Sequence, residues 1–459
     1  MVRVPSGMTV VVGLGLSGRA ICRHLARTGK PFVVADTRRE PPGLEALCAD
    51  YPGVKVYCGP LTELDFTDAC EVVLSPGVDP DSPGLEGLAE RINPQTHEPM
   101  LVGETALFTR INRAPVAAIT GSNAKSTVTT LLGEMAKASG LRVAVGGNLG
   151  TPALDLLADE PEAELYILEL SSFQLETTPA LGAKAAAFLN LSEDHLDRHG
   201  DMQAYRMAKQ RIFTRAQYAI VNQDDPLTWP AYEGPEVIPF SSNPPTEDGW
   251  GLMWQGAELM LMQGRTAWVS ASELSIAGQH NYMNALAALA MGQALGFDAL
   301  AMVKALKAFT GLAHRSETVA HINGVTWIND SKGTNVGATL AAINGLGATL
   351  KGRLVWLGGG VGKGADFSPL AMPLANCARE ALVFGEDRER ISQAITPHVT
   401  VRQVNDLTQA MEAAFAIAEP GDCVLLSPAC ASFDQFSGYQ ARGEAFRRWV
   451  EDKAAEIPQ

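Results

Sequence analysis

The residues best placed to do chemistry lie in the run Ala118-Ile-Thr-Gly121-Ser122-Asn123-Ala124-Lys125-Ser126-Thr127. An apolar β-rich stretch leads into it and a helical pattern, Val128 to Met135, leads out. Strand, loop, Lys-Ser and helix is the order that binds a nucleoside triphosphate. Loop N–H groups cradle the phosphates, the lysine bridges toward the γ-phosphate, and a hydroxyl can ligate Mg²⁺. The general phosphate-loop pattern is incompletely met, because Ile119 and Ala124 stand where it has glycines. Ala124 is compatible if its φ is negative and its methyl clears the phosphates. A plain strand-to-helix connection, with Lys-Ser-Thr as helix start, is the alternative.

A second small-residue series, Gly13-Leu14-Gly15-Leu-Ser17-Gly18, follows the run Met8 to Val12 and opens another helical pattern. Glycines at these points let a backbone approach a diphosphate at a helix N-terminus. Asp36, at the end of the next strand-like run, is placed to accept from a ribose hydroxyl. Packing alone could also require glycine there.

These loops need parallel sheets to carry them. Strand-like runs at Phe32–Ala35, Val54–Val56 and Glu71–Leu74 alternate with helical segments, and a new series begins at Pro115–Ile119 and continues through Leu165–Leu168, Ala185–Phe188 and Tyr218–Val221. Further runs at Val325–Ile328, Leu354–Leu357, Leu382–Phe384 and Cys423–Leu426 make a third. Alternation of this kind predicts an α/β chain of parallel sheets. The length of 459 residues suits about three domains. Boundaries are expected at 1–112, 113–310 and 311–459. The stretch Asn281–Phe309 predicts two helices interrupted at Gly292 and Gly296, and residues 227–275 show no clear period.

Composition narrows the function. With 46% hydrophobic and 19% charged residues the chain is folded rather than disordered. A net charge of −15 disfavours general nucleic-acid binding but not a small anion held by a few cations and N–H groups. Seven cysteines without a CxxC pair predict reduced thiols, no run approaches a membrane span, and no signal peptide is evident; a cytoplasmic protein without membrane insertion is expected.

Several ordered motifs carry a resemblance. Gly121–Thr127, Gly146-Gly-Asn-Leu-Gly150, Glu169-Leu-Ser-Ser-Phe-Gln174, Glu193-Asp-His-Leu-Asp-Arg198, Gln279-His-Asn-Tyr-Met-Asn284, Asn329-Asp-Ser-Lys-Gly-Thr-Asn335 and Leu425–Phe436 resemble the Mur ligases of peptidoglycan synthesis, in their D-glutamate-adding branch. The resemblance implies a Rossmann-like N-terminal domain, a central P-loop ATPase-like parallel sheet and a Rossmann-like C-terminal domain. It implies an ATP-dependent ligase joining D-glutamate to UDP-N-acetylmuramoyl-L-alanine through an acyl phosphate, in a monomer. By the same resemblance, Gly13, Leu14, Gly15, Ser17, Gly18, Asp36, Thr37, Arg38, Asn148 and His195 bind the UDP-substrate. Gly121 through Thr127, Asn281, Arg315, Asp330 and Lys332 bind ATP. Thr334, Lys363, Ser432 and Tyr439 bind D-glutamate. Ser126 and Glu169 hold one Mg²⁺; His195 and a carbamylated Lys209 hold a second. Lys125, Glu169, His195 and Lys209 are the implied catalytic set.

Two departures stand out. The family's Gly-Gly-Asp-Gly-Lys reads Gly359-Gly-Val361-Gly-Lys363 here, removing an acid beside the lysine, and Tyr439 replaces a phenylalanine. Val361 motivates one alternative, a nucleotide-binding scaffold without turnover. The Gly13 series with Asp36 motivates another, a nicotinamide-dependent oxidoreductase, which leaves the Lys125 loop unexplained.

Overall fold

A computed structural model describes residues 1–276, 278–347 and 350–456. The chain forms two compact units. One comprises Met1–Leu191, Gln203–Ser272 and Met283–Lys307; the other comprises Ser192–Met202, Glu273–Tyr282 and Ala308–Gln459.

The first unit holds two large sheets, besides a two-stranded parallel pairing of Val2–Arg3 with Leu64–Asp65. Strands β1 (Thr9–Val12), β2 (Phe32–Asp36), β3 (Val56–Cys58), β4 (Glu71–Leu74) and β5 (Leu101–Gly103) pair in parallel in the order β3-β2-β1-β4-β5. Val10, Val11 and Val12 are fully buried, as expected of a parallel strand covered on both faces. The order reverses at β1, so the loop leaving β1 opens into the crevice where such sheets bind ligands. Helix α1 (Leu16–Arg27) follows that loop, and α2 (Glu104–Ile111) follows β5.

The second sheet runs β6 (Val116–Thr120), β7 (Val143–Gly147), β8 (Leu165–Glu169), β9 (Ala185–Phe188), β10 (Tyr218–Asn222), β11 (Glu236–Phe240), β12 (Trp250–Gln255), β13 (Glu258–Gln263) and β14 (Thr266–Ser270) in chain order. In space the order is β14-β13-β12-β11-β10-β9-β6-β8-β7. Helix α3 (Lys125–Ala138) follows β6, α4 (Ala153–Asp159) follows β7, and α5 (Ser172–Glu176) follows β8. The stretch from 227 to 275, unreadable as a period, supplies β11 to β14, with β13 antiparallel to both β12 and β14. Phe108, Tyr166, Phe188 and Phe213 belong to a hydrophobic cluster that also holds Val11 and Ile21, so one core serves both sheets.

The helical expectation after residue 280 needs one correction. Two helices form as expected, Gln279–Leu295 and Ala299–Ala308, but of the two glycines only Gly296 falls between them and the first helix runs through Gly292. Gly292 is a packing residue: a Cβ there would stand 2.3 Å from Met302 Sδ in the next helix, Ala299–Ala308. Likewise, the strand expected at Val54–Val56 begins at Val56.

The second unit is built on β15 (Glu317–Ile322), β16 (Val325–Asn329), β17 (Leu354–Gly359), β18 (Ala378–Phe384), β19 (Val401–Gln403) and β20 (Cys423–Leu426), ordered β15-β16-β20-β17-β18-β19. Only β15 is antiparallel to its neighbour. Two apolar clusters, one around Trp356 and Leu425 and one around Trp327 and Leu426, cover its two faces. The loops leaving β16, β17 and β20 therefore emerge side by side at one edge.

Candidate functional site

In the first unit, β6 delivers the Lys125 loop to the N-terminus of α3. Ser122 N–H donates to the Asn190 carbonyl at 3.0 Å, and Asn123 N–H to Asn190 Oδ1 at 2.8 Å. Asn190, which follows β9, thus clamps a loop that sequence reading treated alone. Lys125 Nζ folds back on its own loop, 2.7 Å from the Gly121 carbonyl and 3.0 Å from that of Ser122. Ala124 has φ +67°, not the negative value the sequence expectation required. The left-handed backbone explains why glycine suits this position, and alanine bears its strain.

Glu169, at the end of β8, is buried beside the neighbouring strand's loop. Asn148 holds it twice: its N–H donates to the Glu169 carbonyl at 2.8 Å and its Nδ2 to Oε1 at 2.7 Å. The other carboxylate oxygen, Oε2, is buried with no hydrogen-bond partner. An orphaned buried carboxylate oxygen and the buried Ser126 hydroxyl are hard donors of the kind Mg²⁺ takes, so these residues fit such an ion. Lys209, on the helix Met202–Gln210, is 1% exposed. Its Nζ lies 2.9 Å from the Gly121 carbonyl and 4.7 Å from the Tyr205 ring centroid, and the Tyr205 hydroxyl is 3.3 Å from Ser122 Oγ. The amine is thus built into the phosphate loop instead of facing solvent.

At the other sheet of this unit, Gly13 and Gly18 are required by contact. Gly13 has φ +91°, and a Cβ on Gly18 would stand 1.9 Å from the Gly13 carbonyl oxygen. Asp36 is occupied rather than open. Its Oδ2 accepts the Leu14 N–H at 2.8 Å, and Arg38 donates to it through Nε at 2.8 Å and Nη2 at 2.7 Å. Burial alone would raise its pKa; the Arg38 hydrogen bonds and the Leu14 N–H outweigh that and hold the carboxyl below the usual range. Its visible work is to shape the glycine loop and orient Arg38. Thr37 and Arg38 beside it are exposed.

In the second unit a cavity of about 440 Å³ brings together His195, Thr334 and Lys363 with Asp194 and Asn335. Asp194, missed in the sequence, is its electrostatic centre. It accepts from Lys363 Nζ at 3.0 Å and from Asn335 Nδ2 at 3.2 Å, with His195 Nε2 at 3.6 Å. Burial would raise its pKa, and the charges of Lys363 and His195 win and lower it. Ser432 and Tyr439 do not line this cavity. Tyr439 instead meets Lys332, whose Nζ is 4.1 Å from its ring centroid, and stacks edge-on with His314. Asp330 is buried near Ser316, 3.0 Å from its N–H, and accepts the Ser427 hydroxyl at 2.6 Å. Burial pushes its pKa up to about 6, the hydroxyl and N–H donors only partly offsetting it. Arg315 lowers it through its charge. Asn281 opens the helix Gln279–Leu295.

Two supporting residues were also missed. Arg442 is 0% exposed, and its guanidinium reaches Ser331 Oγ at 3.0 Å, the Ser331 carbonyl at 2.8 Å and the Cys430 carbonyl at 3.1 Å. It braces the loops that leave β16 and β20. Val361 contributes backbone only, exchanging N–H···O bonds of 2.9 Å with Ala431. The acid beside the lysine loop is supplied from elsewhere: Asp387, after β18, accepts the Gly362 N–H at 2.6 Å.

Family models match along the chain: the Mur ligase MurD-like N-terminal domain at residues 7–93, the Mur ligase middle domain at 119–292 and the Mur ligase glutamate ligase domain at 314–430. The UDP-N-acetylmuramoylalanine–D-glutamate ligase of Chromohalobacter salexigens is 61% identical over 98% of this chain and 98% of its own. The protein of the same name from Pseudomonas aeruginosa is 49% identical over 97% and 98%. Among solved structures, the UDP-N-acetylmuramate–alanine ligase of Thermotoga maritima shares the fold with a TM-score of 0.59 at 18% identity, covering 98% of this chain and 100% of that one. The MurF ligase of Thermotoga maritima, solved with ADP, gives 0.62 at 16% over 99% and 96%. Identity of this order along nearly the whole length admits one assignment: the chain belongs to the Mur ligase family.

Proposed function

We infer that this protein is the ATP-dependent ligase that joins D-glutamate to UDP-N-acetylmuramoyl-L-alanine in peptidoglycan synthesis. The observation that carries the reading is near-full-length identity of 61% to a relative named for that reaction. The γ-phosphoryl group of ATP passes to the alanyl carboxylate, giving an acyl phosphate and ADP. The D-glutamate amine then attacks the acyl carbon, phosphate leaves, and an amide remains. A carboxylate is a poor electrophile, so the phosphoryl transfer is the step that makes the amide accessible.

We assign the steps to residues as follows. The Gly121–Thr127 loop holds the triphosphate through N–H groups, with Lys125 turned from its loop carbonyls to the γ-phosphate. Ser126 and Glu169 would hold Mg²⁺, which when bound disperses charge on the transferring phosphoryl group. His195 and a carbamylated Lys209 are assigned to a second ion. Carbamylation leaves one N–H on Nζ, enough to keep the Gly121 carbonyl bond, and turns the amine into an oxygen donor. The Gly13 loop with Ser17, Asp36, Thr37 and Arg38 takes the UDP end. Lys363, from the cavity beside Asp194, and Ser432 are assigned to the two carboxylates of D-glutamate, with Thr334 offering it a hydroxyl and Tyr439 assigned to the same amino acid; Asn281, Arg315, Asp330 and Lys332 serve the nucleotide. The domains are assigned as 1–112, 113–310 and 311–459. No described helix is long and apolar enough to cross a membrane; we place the protein in the cytoplasm as a monomer.

The test is phosphate release from ATP. The reading requires release that depends on both UDP-N-acetylmuramoyl-L-alanine and D-glutamate; ATP binding without release would favour a scaffold.

A further inference from the structure

Outside the residues assigned to chemistry, the most unusual ionisable group is Glu104, the first residue of α2. It is 1% exposed, and no part of the mechanism uses it. Its Oε1 accepts the Leu154 N–H of α4 at 2.8 Å. Its Oε2 is buried with no partner of full hydrogen-bond geometry, while the Ser17 hydroxyl of α1 and the Ala153 N–H face the carboxyl. Ser17 belongs to the glycine loop. Helix α4 follows the loop whose Asn148 holds Glu169. Glu104 therefore touches both the helix that carries Ser17 and the first residues of the helix that follows the Asn148 loop. A second tie runs beside it: Arg23 of α1 pairs with Asp155 of α4 through both carboxylate oxygens.

We propose that Glu104 is a positioning residue for the UDP-substrate, fixing the Ser17 loop against α4, and that a negative charge on this carboxyl loosens the grip on the diphosphate. This rests on assigning the Gly13 loop to the UDP end.

Charge supports the geometry. Desolvation pushes the Glu104 pKa up to about 7, with the Leu154 and Ala153 N–H groups and Ser17 opposing and Asp155 reinforcing. The charged or titratable groups on the elements packed against α2 are Arg19, Cys22, Arg23, His24 and Arg27 on α1, Asp155 and Asp159 on α4, and Glu176 on α5; β5 has none. Of these Asp155 acts on Glu104. A neutral carboxyl can accept the Leu154 N–H and donate to Ser17. An ionised one presents its charge behind a loop that must receive a diphosphate. The sign follows: affinity is full below pH 7 and falls above it, and substrate binding takes up a proton.

The experiment is calorimetric binding of UDP-N-acetylmuramoyl-L-alanine to the full chain from pH 6.0 to 8.5, in two buffers of different ionisation enthalpy, with thermal melts to confirm folding. The wild type should lose about fivefold in affinity across that range and show proton uptake. Glu104→Gln should bind with nearly constant affinity, tighter than wild type at pH 8.5, without that uptake, and with kcat within about twofold at saturation. Glu104→Ala should be weaker at every pH. A Gln variant that follows the wild-type pH profile, or weakens uniformly as Ala does, overturns the proposal. Gly15→Leu, at a φ of −86° that accepts a side chain, tests the underlying assignment: unchanged binding in that variant would remove the glycine loop from the UDP site and the proposal with it.

Discussion

Lys363 Nζ lies 3.0 Å from Asp194 Oδ1, so the cation assigned to a substrate carboxylate already holds a carboxylate of its own. A dicarboxylic amino acid must share or displace that partner, while its ammonium finds Asp194 beside it. Lys363→Met should raise KM for D-glutamate at least about 100-fold and leave KM for ATP within about threefold, read from steady-state kinetics. An equal rise in both would place Lys363 outside the amino-acid pocket.

Asp387 brings a carboxylate to the loop in which Val361 carries none. Its carboxylate caps the Gly362 N–H, immediately before Lys363. Asp387→Ala should cost about 1–2 kcal/mol in kcat/KM for D-glutamate, roughly tenfold, with the fold intact by circular dichroism. No change would mean that the Ala431 bridge alone holds the loop.

Arg442 satisfies buried oxygens of Ser331 and Cys430. Burial depresses its pKa to about 10, so it stays charged at neutral pH. Arg442→Met leaves those oxygens unpartnered. Denaturant titration should show a loss of about 3 kcal/mol or more, with ligase activity lost in parallel.

Ala124 sits at φ +67° at the start of α3. That conformation costs an L-residue about 1–2 kcal/mol, and part of the relief in Ala124→Gly is returned as unfolded-chain entropy. The variant should gain about 0.5–1 kcal/mol in stability with KM for ATP unchanged or lower. A fall in melting temperature would contradict the strain argument.

What the sequence disclosed, and what it hid, follows from the range of the interactions. The Lys125 and Gly13 loops were legible because their job is local: strand, small residues and helix in a row. Asn190, Asp194 and Asp387 were hidden because each acts on a backbone or side chain far along the chain, with no spacing to betray the pair. Arg442 sits among Gln440, Glu444 and Arg447 in a helix that reads as solvated, yet it is fully buried. The hold of Asp36 on Leu14 and Arg38 was hidden for a related reason: an acid at a strand end suggests a ribose, and nothing in the spacing shows the loop N–H and guanidinium it also accepts from. The strands of 227–275 escaped detection because β12, β13 and β14 are only partly buried and mix Trp, Met and Gln instead of alternating cleanly.

The most direct measurement follows oxygen. UDP-N-acetylmuramoyl-L-alanine labelled with ¹⁸O in both carboxylate positions is turned over with ATP and D-glutamate, and the inorganic phosphate is analysed by mass. Activation through an acyl phosphate predicts one ¹⁸O in each phosphate released and one in the amide. Amide formation with unlabelled phosphate would contradict it.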